Sequence, residues 1–439
     1  MTEPRGYKPN KVKKRDGNGA AVPPGDWRGG LMLNAEGQAR ANLANARYAL
    51  SAAPEWSGVM GFNEFTARVE ARSAPPWHRG SPWSGSRSWS DNDDRRCAEW
   101  LQRAGVHVGS ELAGQAVNVV AENNAYHPVR DYLDSVAWDG DERLRGWLAR
   151  YMGAAAEPGD GADQGEVERH VAYHQAVGER WLISAVARIF KPGCKVDCVI
   201  VFEGPQGAGK SSALRILAGP WFSDELGEIG SKDAAEQVAG AWIHELPELD
   251  ALSRAEIAKV KAFVSRSTDR FRPAYGRRVM EFPRQAVFAG TINFSEYLRD
   301  PSGARRFWPV KVGRIDLGAL ARDRDQLWAE AVHWYRQGVR WWLDTPELRA
   351  AARTAQRAAY VSDPWETPIA EKLATVETTS VEEILKDWLF VEVGRQDQRS
   401  RNRVAACLKV LGWERYRHRA GKRLTWRYRC SRSETGNSG

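Results

Sequence analysis

The run Gly204-Pro205-Gln206-Gly207-Ala208-Gly209-Lys210-Ser211-Ser212 carries the clearest chemistry in the chain. The apolar, β-branched stretch Cys198–Phe202 before it predicts a buried strand, and Leu214, Ile216 and Leu217 after it predict a helix. Residue types and spacing are those of a phosphate-binding loop, G-x-x-x-x-G-K-[ST]. Glycines there let successive backbone N–H groups turn inward around phosphate oxygens, and the helix N-terminus adds a favourable dipole. Lys210 is expected to reach the β- and γ-phosphates of ATP, and Ser211 to hold Mg²⁺.

Such a loop works with a carboxylate and a polar sensor beside it, and later strands are spaced to supply them. Ala241–Glu248 reads as a second short apolar strand ending in acids. Glu245 and Glu248 are the candidates for Mg²⁺ and for the attacking water. Gln285–Gly290 reads as a third strand running into Thr291-Ile292-Asn293. Asn293 is a candidate γ-phosphate sensor; an Asn in an ordinary turn fits as well. Arg305 and Arg306 precede a fourth strand, Phe307–Val312, where an arginine of an oligomeric ATPase neutralises charge in a neighbour's site. Between the third strand and the helix Ser253–Val264 lies Asp269–Phe282, two β-like runs about a Pro-x-Tyr-Gly turn. Its Arg270, Arg272, Tyr275, Arg277 and Arg278 combine charge for phosphates with a π-face for bases. A solvated hairpin accounts for the same residues. His170 with His174, and Cys194 with Cys198, raise zinc, but neither pair has the tight spacing of structural sites and Cys198 enters an apolar strand.

The elements that must position these groups divide the chain. With 439 residues, 42% hydrophobic and 27% charged, there is room for two or three domains with their own cores. Residues 1–30 are rich in Pro, Gly and Lys and are expected as a disordered basic arm. Residues 31–128 read as a small helical N-terminal domain, with helical spacing over Leu31–Leu50 and Asp91–Ala121. Residues 129–375 hold the ATPase motifs, 376–432 a DNA-binding module, and 433–439 a tail. No apolar run approaches the roughly 18 residues that span a bilayer. The first residues hold no signal-peptide core, and five scattered cysteines argue for a reducing cytosol. A cytoplasmic protein without a membrane partner is therefore expected.

The net charge of +8 is unevenly placed: Arg395–Arg432 alone nets +11, so the remainder is slightly acidic. That concentration favours a polyanion-binding module. The pattern there is a helix with Val381, Ile384, Leu385 and Trp388, a helix over Arg401–Leu411, and two strands, Trp413–Arg419 and Lys422–Arg429. Arg415, Arg417 and Arg419 alternate with Tyr416 and His418, so they share one strand face. This is a winged-helix pattern, with Arg401 and Arg403 on the helix and Arg415, Arg417, Arg419, Lys422 and Arg423 on the wing as DNA contacts.

Taken together, GPQGAGKSS, WIHELPELD, SRSTDRFRPAYGRR, FAGTIN and DPSGARRFWPV resemble, in this order, the virulence-associated E family of phage and prophage proteins. NAYHPVRDYL, PGCKVDCV and DPWE extend the resemblance over roughly Asn124 to Leu373. That family belongs with the superfamily 3 helicases, a branch of the AAA+ ATPases. The resemblance implies an α/β P-loop, AAA+-like core between a helical N-terminal domain and a C-terminal winged-helix-like module. It also implies a ring, usually hexameric, that hydrolyses ATP between subunits and threads single-stranded DNA, in the cytosol of a bacterial host. On that resemblance Lys210 and Ser211 serve the nucleotide, Glu245 and Glu248 the metal and water, Asn293 the sensor, Arg270–Arg278 the pore, and Arg305 or Arg306 the finger. Superfamily 3 sites generally show adjacent acids, whereas Leu246-Pro247 separates these two, so their division of labour stays open. The leading expectation is a helicase for phage or mobile-element replication, working with a separate primase. The alternatives are an origin-binding initiator in which ATP controls assembly on duplex DNA, and a regulatory or defence ATPase acting on proteins.

Overall fold

The computed structural model describes residues 26–78, 82–154, 163–249, 253–272, 279–293, 304–360, 363–420 and 423–430. The chain divides into two units. The first runs through Ala137 and takes in Glu236–Trp242, beyond the boundary at 128 expected from sequence. Its helices are α1 (Leu43–Ala52), α2 (Asp91–Arg103), α3 (Ser110–Asn123) and α4 (Pro128–Ser135). Buried Trp56 anchors the core, its ring meeting Trp77, Trp89 and Trp100 at edge-on or tilted angles.

One expectation for this unit is corrected. Leu31–Leu50 is not one helix, because Asn34 accepts from the N–H groups of Glu36 and Gln38 and Leu33 bridges to Ala39. Local side-chain bonds of this kind hold a turn against helix formation. The helix starts only where Asn42 caps the N–H of Asn45. Beside the helices, β1 (Met60–Asn63), β2 (Arg68–Ala71) and β3 (Arg87–Ser88) form an antiparallel sheet.

The second unit is built on a parallel sheet of five strands. From edge to edge these are β10 (Phe307–Lys311), β4 (Val199–Glu203), β9 (Val287–Ile292), β6 (Ile243–Pro247) and β5 (Phe222–Ser223). Strands β4 and β9 are buried at every position, as short apolar runs in a covered parallel sheet must be. Pro309, which cannot donate to a ladder, lies on edge strand β10. The carbonyls of Phe307 and Pro309 accept from Gln356 and Tyr173 instead of from another strand.

Around the sheet stand α5 (Trp147–Met152), α6 (Gln164–Phe190), α7 (Lys210–Ala218), α9 (Arg254–Val264), α10 (Leu317–Arg336) and α11 (Pro346–Ala358), while α8 (Lys232–Val238) spans the division at Glu236. Fully buried indoles lock helices to their neighbours: Trp181 donates to the Phe288 carbonyl and Trp328 to that of Leu217, both at 3.0 Å. Among the described residues, no helix is long and apolar enough to cross a membrane.

The expected hairpin is present as β7 (Thr268–Phe271) and β8 (Met280–Pro283), with Phe271 stacked on Phe282. Its base is clamped by a buried pair. Arg284, with its side chain fully buried, donates to both carboxylate oxygens of Asp269 at 2.6 and 2.9 Å and to the Phe263 carbonyl. Buried Arg188 on α6 binds the carbonyls of Arg284 and Val196, tying hairpin, helix and the approach to β4 together.

The C-terminal module starts earlier than residue 376. Helix α12 (Glu366–Leu373) supplies Ile369 and Leu373 to its core. The core also takes Ile384 and Leu385, from the π-helical turn that continues α13 (Val381–Glu383) to Trp388. Val404 and Leu408 come from α14 (Gln398–Val410), and Trp413 and Tyr428 from β12 (Trp413–Ala420) and β13 (Arg423–Cys430). The short strand β11 (Thr378–Thr379) completes a three-stranded antiparallel sheet with these two.

The clamp is testable. Asp269→Ala leaves a buried guanidinium unpaired and should cost about 3–5 kcal/mol, read by chemical denaturation. Replacing Asp269 and Arg284 together by Leu and Met should cost clearly less. A single change within error of wild type would show that the pair does not hold the hairpin.

Candidate functional site

The turn from β4 into α7 follows directly from its residues. Gly207 and Gly209 sit at φ +79° and +93°, left-handed backbone that glycine adopts without strain. Pro205, Gln206 and Gly207 form the exposed crest, Gly204 and Ala208 lie partly buried, and Ser212 is exposed on the first turn of α7. Lys210, the first residue of that helix, turns back into the loop. Its Nζ donates to the carbonyls of Gly204 at 2.6 Å and Pro205 at 2.8 Å, and reaches Asn293 Oδ1 at 3.5 Å.

The sheet order explains how Asn293 arrives there. Strand β9 lies between β4 and β6, so its C-terminal end falls between the loop and the acidic strand. Glu245, 2% exposed on β6, accepts from Ser211 Oγ at 2.7 Å and from Thr291 Oγ1 at 2.6 Å, both on Oε1. Its other oxygen, Oε2, is buried with no hydrogen-bond partner. A buried carboxylate oxygen in that state is costly, and a hard divalent cation beside the Ser211 hydroxyl would satisfy it. Ser211 and Glu245 therefore fit Mg²⁺.

The two acids are placed very differently. Glu248 follows Pro247 at the strand's end, is exposed, and has φ +52°. It takes no part in the bonds that join Ser211, Glu245 and Thr291. The arginines are distinguished too. Arg306 donates to Ser265 Oγ at 2.7 Å, whereas Arg305 is exposed.

The expected nucleic-acid contacts are unevenly available. Arg270 pairs with Glu281 across the hairpin, and Arg272 is exposed. Tyr275, Arg277, Arg278 and Lys422 lie outside the described residues, and Arg423 begins β13. Arg403, expected on a DNA-facing helix surface, instead grips Asp363 through Nε and Nη2 at 2.8–3.0 Å and stacks on Trp365. Arg401 is 3.6 Å from Glu382. Arg415 and Arg417 lie over Trp426, and Arg419 is exposed toward the wing's tip.

Two further residues stand beside these groups with weaker signals in the sequence. Thr291 stands two positions before Asn293, the alternation that puts both on one strand face, and that spacing was enough to find it. Glu203 ends β4 immediately before Gly204; its signal was a lone acid closing an apolar run. It is 5% exposed, with Oε1 lacking a partner. Burial pushes its carboxyl up to about 7, against the opposing pull of Lys311 on β10. A carboxyl raised in the folded state binds more protons folded than unfolded between about 4.5 and 7, so its contribution to stability is lost as pH rises through that window. Glu203→Gln should therefore gain on wild type from pH 5 to pH 8, by on the order of 3 kcal/mol in denaturation midpoints converted to free energy. A difference constant with pH would show that Glu203 ionises normally.

The model of the virulence-associated protein E-like domain matches residues 133–361. Among solved structures, the apo structure of the NrS-1 C-terminal region (305–718) is 10% identical, with TM-score 0.42, covering 84% of this chain and 95% of that one. An A-form apo structure of the same region is 11% identical, with TM-score 0.39, covering 68% and 77%. No curated protein matches. The matched span is more than half of the chain, which belongs to the virulence-associated protein E-like family.

Proposed function

We propose that this chain is an ATP-hydrolysing motor for replication of phage or mobile-element DNA, an AAA+-like helicase that translocates on single-stranded DNA. The convergence of Ser211, Glu245 and Thr291, with Lys210 and Asn293 beside them, carries the proposal. Lys210 holds neutral carbonyls of its own loop, and the γ-phosphate, as an anionic acceptor, competes for that ammonium. Ser211 and Glu245 hold Mg²⁺, which when bound neutralises charge developing on the transferred phosphoryl group. Asn293 orients the γ-phosphate or the attacking water. Glu245 is the metal carboxylate in this reading, leaving exposed Glu248 to polarise water once a neighbouring subunit closes the site.

The neighbour's contribution falls to Arg305 rather than Arg306, because Arg306 is already engaged with Ser265. That assignment requires a ring, taken as a hexamer, with the hairpin lining its channel and a separate primase acting alongside. An origin-binding role on duplex DNA is favoured by one observation, the exposed arginines of the wing, and can coexist with unwinding. A regulatory role acting on proteins has no residue in its favour.

ATP hydrolysis by wild type and Lys210→Ala, each with and without single-stranded DNA at fixed salt, tests the reading. DNA-stimulated hydrolysis that the substitution lowers by at least about a hundredfold is expected. Hydrolysis indifferent to DNA, or near wild type in the variant, would reject the motor. Arg305→Ala should be inactive alone and regain activity when mixed with Lys210→Ala, since mixed rings rebuild some intact interfaces. Arg305→Ala activity close to wild type would remove it as the finger.

A further inference from the structure

The wing carries more than the basic rail for a phosphate backbone expected of it. Residues paired across an antiparallel ladder share a face, so Trp413, Arg415 and Arg417 lie on the same side as Cys430, Tyr428 and Trp426. The base of this face is buried in the module's core through Trp413 and Tyr428. Beyond the core the same face continues outward as Arg415, Trp426 and Arg417. Trp426 is 44% exposed, with the Arg415 and Arg417 guanidiniums 3.9 and 5.1 Å from its ring centroid. Opposite stands the first half of α14, and the groove between, about 600 Å³, is lined by Gln398, Arg401, Asn402, Arg415 and Trp426. Glu382 borders it and pairs with Arg401.

A rail for duplex phosphates needs cations but no aromatic ring, and an exposed Trp is a costly way to hold two arginines apart. An aromatic face flanked by cations, with amide side chains across a groove, matches an unpaired nucleotide: base against the ring, phosphates against the guanidiniums, base edge toward Gln398 and Asn402. We infer that the groove between α14 and the wing takes an unpaired base at a junction of single- and double-stranded DNA. Arg415 and Arg417 hold the flanking phosphates and Trp426 stacks the base. This rests on the reading that the C-terminal module contacts DNA, and narrows its substrate from duplex to a fork.

The test measures binding of the full chain, by fluorescence anisotropy at one salt concentration, to a blunt duplex, a single strand, a fork with short unpaired tails, and the same fork with abasic tail positions beside the junction. The natural fork is expected to bind about tenfold more tightly than the blunt duplex, and the abasic fork to lose most of that gain. Trp426→Ala should lose the same factor on the natural fork and stay within about twofold of wild type on the blunt duplex, while Trp426→Phe keeps most of the preference. Equal binding to natural and abasic forks overturns the inference while leaving DNA binding intact. Failure to bind any of the four overturns the DNA reading itself. The abasic comparison uses the unaltered protein, so it decides the matter even if Trp426→Ala disturbs the wing.

Discussion

A carboxylate buried to 2% exposure in the middle of strand β6 is the constraint on which the rest of this unit turns. Glu245 receives two hydroxyl donors on one oxygen and none on the other, so it is held in place but not satisfied. That state costs several kcal/mol of desolvation unless a cation or proton completes it. Holding it requires Ser211 at the start of α7 and Thr291 near the end of β9, and these are brought together only because β9 runs between β4 and β6. The sheet order therefore sets which side chains reach Glu245.

The same sheet sets a second buried acid against the first. Glu203 is one residue ahead of the glycine-rich turn into α7, across the ladder from Lys311 and Ile292, and burial drives it toward neutrality near pH 7. Two carboxyl groups on adjacent parts of one sheet thus meet opposite demands. Glu245 has two hydroxyl donors aimed at one of its oxygens. Glu203 has an oxygen without a donor and only a flanking ammonium.

Much of this was legible from sequence, for identifiable reasons. Val199–Glu203, Ile243–Pro247 and Val287–Ile292 are short apolar runs closed by Gly, Pro or Asn, and their identity as strands follows from length and bounding residues. The strand, turn and helix around Lys210 and Ser211 follow from the motif's spacing, which reports backbone geometry directly. What was lost depended on pairing across distance. Met60–Asn63 and Arg68–Ala71 are too short to show a period, and their register with Arg87–Ser88 is set by tertiary contacts. Helix α12 was assigned to the wrong module because Ile369 and Leu373 declare their partners only through packing with Val404 and Leu408. The different placement of Glu245 and Glu248, one buried within β6 and the other exposed at φ +52°, is likewise beyond any residue count.

Charge was the least faithful guide, and the reason is physical. Counting Arg395–Arg432 alone gives a net +11, yet the acids that answer those cations lie outside the window. Asp363 takes Arg403, Glu382 faces Arg401, Glu383 meets Arg427, and Glu392 is 3.8 Å from Arg395. These contacts are worth little individually where exposed, but the Asp363–Arg403 pair, with the acid buried and Trp365 beneath the guanidinium, fixes α14 to the approach of α12. Local charge density therefore mixes arginines that build the module with arginines that face outward. The two kinds separate only in three dimensions, by whether a guanidinium ends on a carboxylate or on an exposed aromatic ring. Arg415 and Arg417, over Trp426, are of the second kind. A stacked guanidinium keeps its N–H groups directed outward in the ring plane, so the arginines that sequence marked by alternation alone are also those whose donors stay available to an anion.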